Sequence, residues 1–178
     1  MKVYLAGFDV FRPDAENVFE LLCSEARRFG LTPITPLDGE SPLSGVSPQA
    51  IARQIFRSNI EKLASADAVI AHLAPFRGIE PDSGTVFEVG YAIARGIPVV
   101  GYGVPAATYA ERVGADTPCI RCDAGLLRER SSGMLVEDFG LRLNLMLACS
   151  IDLHSTAEEA LGALAATYRT RATHLEGT

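Results

Sequence analysis

The chain has 178 residues, 48% of them hydrophobic, which suits one compact α/β domain over residues 1–178 rather than two. Its formal net charge is −6 and it has no Lys/Arg run, which argues against a nucleic-acid partner and leaves small neutral or cationic ligands. No apolar stretch reaches the roughly 18 residues a membrane span needs, and Asp9 interrupts MKVYLAGFDVF where a secretory segment would be apolar, so a cytoplasmic location is expected.

In chain order, Val3–Ala6 is a short apolar run ending at Gly7 and reads as the first, central strand. Its exit, Gly7 to Pro13, is expected to be a ligand-facing loop. Phe8 and Phe11 on it are either core or oligomer contacts, or rings that stack on a base. Asp14 is the expected cap of a helix over Ala15–Phe29, ended by Gly30. Leu31–Leu37 carries Pro33 and Pro36 and so reads as an edge strand. The Gly/Ser/Pro-rich segment Asp38–Pro48 reads as a surface loop, with a lid as the alternative. Ser47-Pro48 opens an amphipathic helix to Ala64, with Ile51, Ile55, Ile60 and Leu63 apolar and Arg53, Arg57, Glu61 and Lys62 polar.

The middle of the chain is a βαβ unit: strand Ala68–Leu73, Pro/Gly-rich loop Pro75–Gly84, helix Thr85–Arg95 and strand Pro98–Tyr102. Ligands of open parallel sheets bind where loops leave the carboxyl ends of strands, and here Glu80, Asp82 and Glu88 lie near one such exit. With Thr85 as cap, Glu88 falls at the third helical position of a T-x-x-E capping box. It also heads a mostly apolar helix, where partial desolvation makes a carboxylate a poorer ion and a better nucleophile. The two roles are compatible.

Residues 104–134 lack a sustained period and read as a long excursion. Asn144–Leu147 looks like a helix start, Cys149–Leu153 like the last strand, and Thr156–Arg169 like a closing helix followed by a frayed tail. The four cysteines include one C-x-x-C pair, Cys119 and Cys122. With no second pair and no nearby His, they are expected to be reduced structural thiols, and no metal site is expected. The element pattern as a whole is that of a flavodoxin-like doubly wound sheet, mostly parallel, of about five strands with helices on both faces.

The segments YLAGFDVF (Tyr4–Phe11), NIEKLASADAVIAHLAPFRGIEPDSGTVFEVGYA (Asn59–Ala92) and FGLRLNLML (Phe139–Leu147) resemble the three signature blocks of the nucleoside 2-deoxyribosyltransferase family, in that family's order. The D-x-G-T-x-F-E-x-G block is the most specific. The resemblance implies transfer of 2-deoxyribose between nucleobases, with 2-deoxynucleosides and free bases as partners and no metal or organic cofactor. It assigns Glu88 to the nucleophile, Asp82 to the base contact, and Tyr4 to the tyrosine that holds the nucleophile. It also implies that Asn144 reaches the sugar hydroxyls, in several members from a neighbouring subunit, so that a homo-oligomer, at least a dimer, is expected. Asn59 falls where a polar residue faces the base, although a solvated helix residue fits as well, and Gly7 belongs to the substrate loop.

The chemistry of an N-glycosidic bond agrees with that assignment. As the base leaves, the sugar carbon becomes oxocarbenium-like, and a carboxylate beneath it can capture the sugar. The departing base gathers negative charge and needs a proton, which a second acid can give. Hydrolysis would use the same residues with water as acceptor, and a non-catalytic nucleoside-binding module is a further alternative. Related hydrolases that act on deoxynucleoside 5′-monophosphates carry a Ser- and Gly-containing phosphate loop after the first strand, and the resemblance therefore disfavours a monophosphate here, where Asp9 stands in that loop. Arg77 is expected to pair with Glu80 or Asp82, or to meet a phosphate.

Overall fold

The computed structural model describes the backbone of residues 1–38 and 46–175, with side chains through 168. Most of the expected loop Asp38–Pro48 therefore lies outside the described residues, as do the last three residues of the tail. The described elements are β1 (Lys2–Gly7), α1 (Ala15–Arg28), β2 (Thr32–Ile34), α2 (Pro48–Ala64), β3 (Ala68–His72), α3 (Ser83–Ala94), β4 (Val99–Tyr102), α4 (Tyr109–Asp116), β5 (Cys119–Arg121), β6 (Leu127–Glu129), α5 (Leu145–Ala148), β7 (Asp152–His154) and α6 (Ala157–Leu175).

Five strands form one sheet in the order β2-β1-β3-β4-β7, every neighbouring pair parallel. This is the flavodoxin-like order expected from the sequence. Because β1 is followed by a strand on one side and then by β3 on the other, the switch in strand order falls at the exit of β1.

Alternation along the strands builds two cores. Val3 and Leu5 of β1, with Ala68 and Ile70 of β3, pack under α1 and α6 against Phe19, Ala26, Leu161 and Leu164. Tyr4 and Ala6, with Val69, Ala71 and Leu73, face the other way against Leu63 of α2, Val89 and Ala92 of α3, and Leu147. Leu63 is fully buried, and truncating such a side chain to Ala costs about 2–5 kcal/mol. The second core carries the site, since it fixes α2 and α3 over β1.

Several boundaries differ from the sequence-based expectation for local reasons. The edge strand shrinks to three residues because Thr35 and Asp38 close a turn, each backbone N–H bonding the other's side chain. Asp14 makes no capping bond and pairs instead with Arg12. The excursion holds α4, capped by a Thr108/Glu111 box, and the antiparallel hairpin β5–β6. The last strand begins at Asp152, because α5 runs through Ala148. The closing helix continues to Leu175 rather than fraying from residue 170.

Candidate active site

Tyr4 is fully buried beneath α3, where strand alternation aims it away from α1 and α6. Its hydroxyl donates to Glu88 Oε1 at 2.7 Å. α3 begins one turn earlier than a Thr85 cap would allow: Asp82 is the N-cap, and its Oδ2 accepts the Thr85 N–H at 2.9 Å and the Thr85 hydroxyl at 3.0 Å. The T-x-x-E capping box is therefore corrected. Glu88 lies six residues beyond the cap, too deep in the helix to bond back to its first turn, and its partner is the Tyr4 phenol.

Asp82 and Glu88 border one cavity of about 670 Å³, a volume suited to a small organic ligand. Gly7, Val10 and Phe11 come from the exit of β1, Pro36, Leu37 and Asp38 from the turn after β2, Gln54, Ile55, Ser58, Asn59 and Lys62 from α2, and Gly84 and Thr85 from the start of α3. Gly7 is required for a close approach, since a Cβ there would lie 2.9 Å from His72 Cβ and 3.1 Å from Asp9 Oδ2.

The charges are shaped by burial. Desolvation pushes the Glu88 carboxyl above its ordinary range, the Tyr4 bond works against that, and neighbouring Asp82 adds to the rise. Burial, and then Glu88 itself, drive the Tyr4 phenol upward, so it stays a proton donor. Burial lowers the Lys62 ammonium while Asp38 opposes the shift, and Lys62 Nζ donates to the Pro36 carbonyl at 2.8 Å. Asn59 Oδ1 is buried with no hydrogen-bond partner among the described residues, an acceptor that a ligand N–H would satisfy.

Other singled-out residues lie elsewhere. Phe8 does not border the cavity: it stacks between His72 and Phe76, with ring centroids 4.6 and 5.1 Å away. A short 3-10 turn over Phe8–Phe11 causes this, sending Phe8 toward β3 and leaving Phe11, 58% exposed, at the cavity rim. The same turn buries Asp9, whose Oδ2 lies 2.7 Å from His72 Nδ1, so the acid expected to oppose a phosphate does not face the cavity. Arg77 covers the rings of Phe76 and Phe11 rather than pairing with an acid. Glu80 stands beside Tyr109, whose phenol is pushed up to about 12 by burial first and by Glu80 second. Asn144 is also away from the cavity: it caps α5 by accepting the Met146 N–H, and its amide donates to Glu137.

The model of the nucleoside 2-deoxyribosyltransferase family matches residues 3–146 of the chain. The chain belongs to that family. Among solved structures, a 2-deoxyribosyltransferase from Leishmania mexicana is 30% identical and superposes with a TM-score of 0.73 over 92% of this chain and 96% of its own. A conserved protein from Enterococcus faecalis, 22% identical with a TM-score of 0.54 over 90% of this chain and 94% of its own, shares the fold. An uncharacterized protein from Schizosaccharomyces pombe is 34% identical over 113 residues, 62% of this chain; the chain spans about half, 54%, of that relative's length.

In this family member the sequence-based search missed Asp38, Gln54, Ser58 and Lys62. Gln54, Ser58 and Lys62 recur every four residues on α2, but the sequence does not say that the turn after β2 covers that face. Among the described residues no group of three or more His, Cys, Asp or Glu could hold a metal, and no helix is long and apolar enough to cross a membrane. All four cysteines are free thiols; Cys119 starts β5 and Cys122 lies just beyond it, and residues three apart on an extended strand point to opposite faces.

Proposed function

We propose that the protein transfers 2-deoxyribose from one nucleobase to another through a sugar held covalently on Glu88. The observation that carries this reading is the Tyr4–Glu88 bond beside Asp82 in a cavity at the exit of β1. Glu88 attacks C1′ from the face opposite the base. The N-glycosidic bond breaks, its electron pair leaves with the base, and Asp82, which enters this step as the carboxylic acid, gives its proton to the base nitrogen and becomes the carboxylate. A second base then enters, gives its proton to Asp82 and attacks C1′, and Glu88 departs as carboxylate. Two inversions give net retention. Tyr4 orients Glu88, while Gly7, Phe11 and Asn59 hold the substrate. Asn144 enters the cavity of a neighbouring subunit in this scheme, which makes the active form a homo-oligomer; its distance from the cavity of its own subunit supports that part.

Hydrolysis is the second reading, with water attacking the glycosyl-Glu88 ester. It is favoured by one observation: because Asp9 is turned into His72, no carboxylate from the β1 exit loop opposes a 5′-phosphate on the substrate.

Incubation with 2′-deoxyinosine or thymidine, with and without free adenine or cytosine, separates the two by chromatography. Transfer gives a new deoxynucleoside only when a base is added. Free base and deoxyribose released at the same rate without an acceptor would replace transfer by hydrolysis, and absence of any product from these nucleosides and from their 5′-monophosphates would overturn both.

A further inference from the structure

The cavity has a second polar wall that the sugar chemistry does not use. β2 and β3 flank β1, so the turn after β2 lies across the exit of β1 from α3, which carries Glu88. Two opposite charges stand on that far wall, and each is pinned. Asp38 Oδ2 accepts the Thr35 N–H at 2.6 Å, and the Asp38 N–H donates to Thr35 Oγ1 at 3.1 Å. Lys62 Nζ is held 2.8 Å from the Pro36 carbonyl oxygen. Among the described residues the two form no ion pair with each other, and Asp38 Oδ1 and two of the Lys62 ammonium hydrogens have no hydrogen-bond partner there.

A carboxylate and an ammonium fixed by the backbone, bordering one cavity and not joined in an ion pair, present an acceptor beside a donor with little ordering entropy left to lose. A ligand group that meets both carries an N–H next to a hydrogen-bond acceptor. The edge of a nucleobase remote from the sugar has that pattern: a ring N–H beside a carbonyl in hypoxanthine, an exocyclic amino group beside a ring nitrogen in adenine.

We infer that Asp38 and Lys62 are the specificity pair that reads this edge of the base, so that the cavity takes bases with an N–H donor beside an acceptor and rejects those whose edge is blocked or bare. This rests on the proposal that the cavity binds a nucleobase. With the sugar carbon at Glu88, the base extends across the exit of β1, and its far edge meets the turn after β2. Asp38 is exposed and Lys62 half-buried until a ligand covers them, so an edge that cannot supply both partners strips water from one of these charges without pairing it, which is the source of discrimination.

Binding of free bases to the intact protein, measured by calorimetry, tests this without turnover. Hypoxanthine is compared with 1-methylhypoxanthine, whose ring N–H is replaced by a methyl group, and adenine with purine, which lacks the amino group. Each complete edge is expected to bind about tenfold tighter or more than its blocked or bare counterpart. Lys62→Met and Asp38→Asn, on two different elements, should each shrink both gaps to about twofold or less, and the Asn still accepts the Thr35 N–H. Equal affinities within the pairs, gaps that persist in both variants, or no binding of any base would overturn the inference. The outcome is independent of the transfer assay. Transfer without edge discrimination sinks only this inference, whereas edge discrimination without transfer leaves it standing and sinks the transferase reading.

Discussion

Glu88 and Asp9 sit on opposite faces of one sheet, near the exit of the same strand, and each is a shielded acid with one ring as its partner. Glu88 receives the Tyr4 phenol on the α2/α3 face. Asp9, 3% exposed, meets the His72 imidazole, which stacks on Tyr102 of the α1/α6 core at 4.6 Å. Of the two, only Glu88 borders the cavity of about 670 Å³. Its second oxygen, Oε2, has no partner among the described residues, so it is free to act on a ligand, whereas Asp9 and His72 pack against Gly7 and fix the path by which β1 leaves the sheet. A buried acid is therefore not a site by itself; access to a cavity separates a reactive group from a structural one.

The sharpest break between the two is Glu88→Gln. Turnover should fall by on the order of 10³-fold or more, because the amide cannot capture C1′. Stability should move the other way. A carboxyl whose folded pKa lies above its ordinary 4.5 binds more protons folded than unfolded, so the wild type loses stability as pH rises through that window. Glu88→Gln escapes that loss and should melt higher than the wild type at pH 7, with the advantage shrinking as pH falls toward 4.5. Full transfer activity in the folded variant would end the nucleophile assignment.

Asp9→Ala should show the reverse pattern. It strips a buried, hydrogen-bonded acid from His72 and should cost about 2–4 kcal/mol, a fall in melting temperature of roughly 4–15 °C. The kcat of the protein that remains folded should change far less than in Glu88→Gln. Unaltered stability, or a loss of activity as deep as that of Glu88→Gln, would erase the contrast between the two acids.

Asp82→Asn probes the helix cap and the chemistry separately. An Asn side chain still accepts the Thr85 N–H, so the melting temperature should hardly move. The proton for the departing base is lost, and rates should drop about 10²-fold, most for the bases that leave least readily. Equal rates across a series of leaving bases in variant and wild type would take Asp82 out of the acid role.

How much of this was legible in the chain depended on how long each periodic signal lasted. β1, β3, α3 and β4 could be read because their apolar runs are continuous, and the βαβ unit with Asp82 and Glu88 came with them. The capping box did not survive, because Asp82 competes with Thr85 for the cap and a T-x-x-E spacing cannot say which residue wins. β2 and β7 are legible as strands but not in their limits: each keeps only three residues, bounded by the turn at Thr35 and by α5. The Thr108/Glu111 box of α4 was present in the sequence and was hidden by the small residues around it. Lys62 shares a helix face with Gln54 and Ser58, and only the fold shows that the turn after β2 reaches it. Asp9 was misplaced because the whole of Gly7 to Pro13 reads as a ligand-facing loop, and the 3-10 turn that rotates its side chain toward β3 leaves no periodic signal in four residues.

Tyr4→Phe is the finest test of the contrast, since it removes one oxygen and leaves the ring in the core. The Tyr4 bond is the one influence that lowers the Glu88 pKa, while burial and Asp82 both raise it. Without the phenol the carboxyl should titrate higher still, and the acidic limb of the kcat/KM profile should shift to higher pH, because more of Glu88 is protonated and unable to attack. At a pH well above that limb the rate should fall only about tenfold, from looser orientation of Glu88. A purely structural tyrosine would lower stability and leave the limb where it was. A shift of the limb to lower pH would mean that the phenol does not stabilise the charged form, and the pairing of Tyr4 with Glu88 would then have to be counted with that of His72 and Asp9.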